Sequence, residues 1–138
     1  MVLEKQNIFT NCAPMAKEEV IRKIGGIFTE QGYTNAAYTQ AMLDKEKVFN
    51  TNIGNRIAIP HGIEEAKKDI MKTGIVLMTF PEGLDWESNE EVVVVIGIAA
   101  VGDEHLDVLS KIAETLSDTD EVNRLLQMSV DEIYNLFA

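Results

Sequence analysis

The stretch Glu91–Ala100, "EVVVVIGIAA", decides how this chain folds. Its apolar residues run without polar alternation, which fits a strand buried on both faces and covered by helices on each side. The segments around it support that reading. "TGIVLMTF" (73–80) predicts a second strand that stops at "PEG" (81–83), where Pro81 and Gly83 favour a turn. Residues 104–116, "EHLDVLSKIAETL", place Leu106, Leu109, Ala113 and Leu116 at helical spacing. Further on, "DEVNRLLQM" (120–128) suggests a helix, and Ser129 and Glu132 form an S-x-x-E capping pattern ahead of a last one.

Toward the N-terminus, "KEEVIRKIGGIFTEQ" (17–31) sets Val20, Ile24, Ile27 and Phe28 on one helical face. Glu18 and Glu19 favour its positive end, and Gly25 and Gly26 weaken it. "GYTN" (32–35) breaks the pattern, and "AAYTQAMLDKEK" (36–47) reads as a second helix built from strong helix formers. "NTNIGN" (50–55) reads as a loop leading into a strand from Arg56 to Ile59, followed by a short helix from about Ile63 to Asp69. Strands alternating with helices predict an α/β fold around a mixed or largely parallel sheet. The 138 residues predict one domain, 1–138, a free-standing module.

Composition narrows the function. A net charge of −11 disfavours nucleic acid and anionic membranes as partners, because both are bound through clustered Lys and Arg. A cationic protein is the natural complement, and a solvated acidic surface is the plainer reading. No run approaches the roughly 18 apolar residues that cross a bilayer, and "MVLEKQNIFT" carries no export signal, so a cytoplasmic location and no membrane insertion are expected. Cys12 is the one cysteine, which excludes an internal disulfide and a multi-thiolate zinc site.

There are only two histidines, and both fall at strand-to-helix junctions. In "RIAIPHGIEEA" (56–66), Pro60 ends the strand and delivers His61 to its carboxyl end. Gly62 permits a close turn, and the amides of Gly62 and Ile63 fall where a helix N-terminus leaves N–H groups free for an anion. The central strand likewise ends in "VGDEH" (101–105), with His105 in the first turn of the next helix. Ligands of open α/β sheets bind beyond the carboxyl ends of the strands, so both histidines point to one site. A capping or surface role is the alternative for His105.

A neutral imidazole is a competent nucleophile that can accept a phosphoryl group, and amide and imidazole N–H groups would stabilise the product. That chemistry needs no metal or cofactor. Glu64 or Glu104 with the two histidines would make a metal site, but no H-x-x-x-H or H-E-x-x-H spacing occurs. A Cys12 thiol nucleophile has no local signature. Phosphate-binding glycine motifs for nucleotides are absent.

At "AMLDKEKVFNTNIGNRIAIPHG" (41–62) and "VVVVIGIAAVGDEHLDVL" (92–109), the sequence resembles the IIA domains of the bacterial phosphoenolpyruvate-dependent sugar phosphotransferase system, mannitol and fructose class. The likeness covers essentially the whole chain, and the second segment leans toward the mannitol branch. The resemblance implies a mixed sheet of about five strands flanked by helices. It implies a phosphocarrier whose His61 takes a phosphoryl group on Nε2 from the phosphocarrier protein HPr and passes it to a cysteine of a IIB domain. It assigns His105 to stabilising that group. The family's assisting cation is typically Arg where this chain has Lys45, a point charge in place of a planar fork. Arg56 is either a substitute cation or a solvated residue at the strand edge. A regulatory phosphoprotein of the related nitrogen-type branch is the alternative function.

Overall fold

In a computed structural model, which describes residues 2–138, five strands form one mixed sheet in the order β1-β4-β5-β3-β2. The strands are β1 (Ile8–Phe9), β2 (Asn52–Gly54), β3 (Ile57–Ala58), β4 (Gly74–Leu84) and β5 (Val92–Ala99). All of β5 is buried, as its unbroken apolar run requires. Its sides point alternately to two cores. Val95 and Ala99 pack with Val20, Ile24, Phe28 and Met42 of helices α1 (Lys17–Glu30) and α2 (Ala37–Val48). Val94, Ile96 and Ile98 pack with Val108, Ile112, Ile133 and Phe137, which belong to α3 (Glu104–Thr115) and α5 (Val130–Phe137), with α4 (Thr119–Leu125) between them in sequence.

The sheet is mixed as expected, with parallel and antiparallel joins in equal number. β1 runs parallel to β4 and β3 parallel to β5, whereas β4–β5 and β2–β3 are antiparallel. The β4–β5 ladder is the longest, because the short Asp85–Glu91 connection allows only a hairpin.

Several local expectations are corrected. β4 does not stop at "PEG": it bulges between Thr79 and Leu84, with Gly83 at φ 84°, and pairs again through Leu84 and Val92. "NTNIGN" is not wholly loop, because Asn52–Gly54 forms an edge strand. Asn55 and Arg56, at φ 52° and 66°, make the tight turn into β3, so Arg56 lies in the turn and not in the strand. The segment after His61 is a 3₁₀ helix, Glu64–Asp69. On α3 the buried line is Val108, Ile112 and, just past its end, Leu116; Ala113 is exposed and Leu106 is 64% exposed. Leu106 occupies the first turn, beyond the end of the sheet, where no apolar surface meets it.

Other expectations stand. α1 buries Val20, Ile24 and Phe28 fully and Ile27 partly. Its Gly25 has a packing reason, since a Cβ there would lie 2.1 Å from Thr39 Oγ1 on α2. Ser129 and Glu132 close the expected reciprocal cap, each taking the other's backbone N–H, at 3.1 and 3.2 Å. Among the described residues, no helix is long and apolar enough to cross a membrane.

Candidate active site

Past Ala58 the chain stays alongside β5. The Pro60 carbonyl accepts the Ile98 N–H at 2.9 Å, and His61 bridges to Ile98 in parallel register. Proline thus ends the strand as a donor while keeping its carbonyl in the ladder. His61 is carried to the carboxyl end of the central strand, where β5 itself turns toward α3 and His105.

The two rings meet there. Their centroids lie 5.0 Å apart with planes at 48°, so the junctions read separately in the sequence form one site. They line a cavity of about 250 Å³ with Tyr38, Lys45, Gly62, Ile63, Glu64 and Lys67. Lys45 comes from the last turns of α2, its Nζ 5.4 Å from the Phe49 ring centroid. At the rim, Lys67 pairs with Glu64 at 3.3 Å.

One hydrogen bond fixes which nitrogen of the His61 ring keeps its lone pair. His61 Nδ1 is 2.7 Å from the Ile59 carbonyl oxygen, which can only accept, so Nδ1 carries the proton and Nε2 keeps its lone pair. Burial then lowers the His61 pKa, opposed by the Ile59 bond, while Lys45 lowers it and Glu46 raises it. Burial also lowers that of His105, aided by His61, Lys67 and Lys45 and opposed by Glu64. Both shifts favour neutral imidazoles, the form that acts as a nucleophile.

Tyr38 is the residue sequence reasoning missed. Its buried hydroxyl accepts the Gly62 N–H at 2.8 Å and donates to the Ile98 carbonyl at 3.1 Å, tying both histidine-bearing segments to α2. Burial pushes its pKa up to about 12, so it remains a donor. The signal available was position: Tyr38 lies two helical turns ahead of Lys45, on the same face of α2.

The Gly62 amide is therefore engaged, and it is not the free anion donor expected of a helix start. Glycine is needed there for space, since a Cβ would fall 2.5 Å from Tyr38 Cε1. Ile63 lines the cavity, ahead of a 3₁₀ turn and not an α-helix. Arg56 is not brought to the site. It sits at the opposite end of β3, its carbonyl accepting from Val93 at the start of β5, about 15 Å of extended chain from His61. Cys12 does not line the cavity; its Sγ lies 3.5 Å from the Phe9 carbonyl, and burial raises the thiol pKa. Among the described residues, no group of three or more His, Cys, Asp or Glu is placed to hold a metal ion.

A neutral imidazole that shares a cavity with a second imidazole and a lysine has the chemistry to take and hold a phosphoryl group. Comparison with known proteins gives the same direction. The family model described as "Phosphoenolpyruvate-dependent sugar phosphotransferase system, EIIA 2" matches residues 1–138. The chain is 44% identical over 137 residues to the mannitol-specific phosphotransferase enzyme IIA component of Staphylococcus aureus strain N315, covering 99% of this chain and 94% of that protein. The crystal structure of IIA mannitol from Escherichia coli superposes with a TM-score of 0.90 at 40% identity, covering 100% of both chains. An NMR structure of the complex of enzyme IIA mannitol and phosphorylated enzyme IIB mannitol from Escherichia coli matches with a TM-score of 0.88 at 37% identity, over 99% of this chain and 98% of that one.

Proposed function

The chain belongs to the EIIA 2 family of the phosphoenolpyruvate-dependent sugar phosphotransferase system, as a phosphotransferase component, and from that premise we propose that it is the mannitol phosphocarrier, with His61 as acceptor. The observation that carries the proposal is the His61 ring itself. Its Nδ1 is bound to the Ile59 carbonyl, its Nε2 is left with a lone pair, and the His105 ring lies 5.0 Å away.

In the proposed cycle, the Nε2 lone pair of His61 attacks the phosphorus of phosphohistidine on HPr. The donor P–N bond breaks and its electron pair returns to the HPr ring. The new P–Nε2 bond uses the ring's lone pair while Nδ1 keeps its proton and its bond to Ile59, so the phosphorylated ring carries the positive charge of an imidazolium beside the anionic phosphoryl oxygens, and it is a good leaving group for the next transfer. His105 N–H and the Lys45 ammonium meet the phosphoryl oxygens, the lysine as a point charge without the bidentate fork of arginine. A IIB cysteine thiolate then attacks phosphorus, and the P–Nε2 pair returns to His61. The donor and acceptor dock in turn on the face that holds the histidines. Phe49, Val101 and Leu106 expose apolar surface close to Lys45 and His105 in sequence, at 66%, 40% and 64%.

Two relatives support the mannitol assignment: the Staphylococcus aureus component named as mannitol-specific, and the Escherichia coli complex with phosphorylated IIB mannitol. The test is transfer from purified phosphorylated protein to a mannitol IIB domain. Rapid transfer is expected. Labelling by HPr with no transfer to IIB would instead favour a nitrogen-type regulator.

A further inference from the structure

A buried ion pair lies one helix position away from the site's cation. Lys17 Nζ, at the start of α1, is 2.9 Å from Glu46 Oε2 on α2, and the two side chains are only 8% and 5% exposed. Such a pair gains little over apolar packing of the same volume, because both charges lose their water. Its value must therefore be sought in what it holds. Glu46 also accepts the Thr51 N–H at 3.3 Å through Oε2, and the Thr51 hydroxyl through Oε1. Thr51 is itself buried, and its carbonyl accepts the Ile59 N–H at 3.0 Å. The Ile59 carbonyl in turn receives the His61 Nδ1 proton at 2.7 Å. An unbroken line of polar contacts thus runs from Lys17 through Glu46, Thr51 and Ile59 to His61.

We propose that Glu46, clamped by Lys17 and gripping Thr51, is a positioning residue for phosphoryl transfer that holds the Ile59 carbonyl where it orients the His61 ring. This inference rests on the phosphocarrier reading. Two features make the clamp more than a brace for the fold. Thr51 immediately precedes β2 and Ile59 immediately follows β3, and their backbone bond continues the hairpin's pairing, so a shift of Thr51 moves the carbonyl that selects the His61 tautomer. Glu46 also immediately follows Lys45. Fixing Glu46 toward Lys17 fixes the roll of α2 and so keeps Lys45 on the cavity side. The direction in which Glu46 acts on the His61 pKa, upward, is consistent with this proximity.

The experiment uses the full chain with Glu46→Gln, Thr51→Val and Thr51→Ser. Two quantities are read: the rate of His61 phosphorylation by phosphorylated HPr at saturating and limiting donor, and the ¹⁵N signals of the His61 ring nitrogens without donor. In Glu46→Gln and Thr51→Val, the saturated rate should fall on the order of tenfold with donor affinity unchanged, because a misplaced ring loses near-attack geometry. The ring signals of both should move toward a mixture of tautomers. Thr51→Ser, which restores the hydroxyl, should recover rate and signals. Wild-type rates and ring signals in folded Glu46→Gln and Thr51→Val would overturn the inference, and if Glu46→Gln does not fold, the Thr51 pair decides it. If wild-type protein takes no phosphoryl group, the phosphocarrier reading fails, while the ring signals still judge the clamp.

Discussion

The Tyr38 hydroxyl is bound to the Gly62 amide at 2.8 Å, which ties helix α2 to the residue immediately after His61. Because the same hydroxyl donates to the Ile98 carbonyl, Tyr38→Phe orphans one buried donor and one buried acceptor. A loss of about 1–3 kcal/mol in unfolding free energy is expected, measured by chemical denaturation. The phosphorylation rate should fall with it while His61 remains the labelled residue. Unchanged stability would contradict the bridge.

The depressed histidine pKa values give a pH dependence with a definite sign. Both rings ordinarily titrate near 6.5, and both are lowered in the fold, chiefly by burial. The charged neighbours are Lys45 and Glu46 from α2 and Glu64 and Lys67 from the 3₁₀ turn, besides the other imidazole. The unfolded chain therefore takes up protons first as the pH falls. The stability associated with the neutral rings is fully present above 6.5 and is lost as the pH falls through the lower folded values. NMR titration should place both midpoints below 6.5, and the acceptor rate should hold to a lower pH than a free imidazole would allow. A midpoint above that value for either ring would contradict the burial account.

Lys45→Ala and Lys45→Arg separate charge from geometry. Alanine removes a cation that lowers the pKa of both rings, so both midpoints should rise, and the transfer rate should fall by roughly 10- to 100-fold. Arginine should retain the pKa effect and match or exceed the wild-type rate, since its fork can grip two phosphoryl oxygens. Stopped-flow transfer from HPr and ring titration measure the two effects, and an alanine variant with wild-type kinetics would remove Lys45 from the site.

The architecture was legible where the signal is local. The unbroken apolar run Val92–Ala99 is the central strand because every residue of it meets a core, and Ser129 and Glu132 cap α5 because that motif spans one turn. The meeting of His61 and His105 was also legible, since both follow strands whose carboxyl ends share one edge. What was hidden depends on pairing across the chain. Tyr38 acts through Gly62 and Ile98, and Glu46 through Thr51 and Lys17, and no spacing pattern encodes those contacts. Arg56 was offered for the site on sequence proximity, but an extended strand separates its ends, and that carries Arg56 to the far edge. Leu106 fitted a helical stripe, yet the sheet ends before it, which leaves it exposed.

That exposure has a testable consequence. Leu106→Asp and Phe49→Asp should leave the fold nearly unchanged, because neither side chain is buried. Each should weaken docking of HPr and of IIB, by about 1–2 kcal/mol if the residue anchors the contact. Calorimetric binding of each partner measures this, and wild-type affinity in both variants would place docking elsewhere.

The central claim is that one ring nitrogen, at His61, carries the phosphoryl group. The most direct measurement is the intact mass of wild-type, His61→Ala and His105→Ala protein after incubation with phosphoenolpyruvate, enzyme I and HPr. Wild type should gain a single phosphoryl group, His105→Ala should still be labelled but transfer poorly, and His61→Ala should gain nothing. Full labelling of His61→Ala would contradict the account.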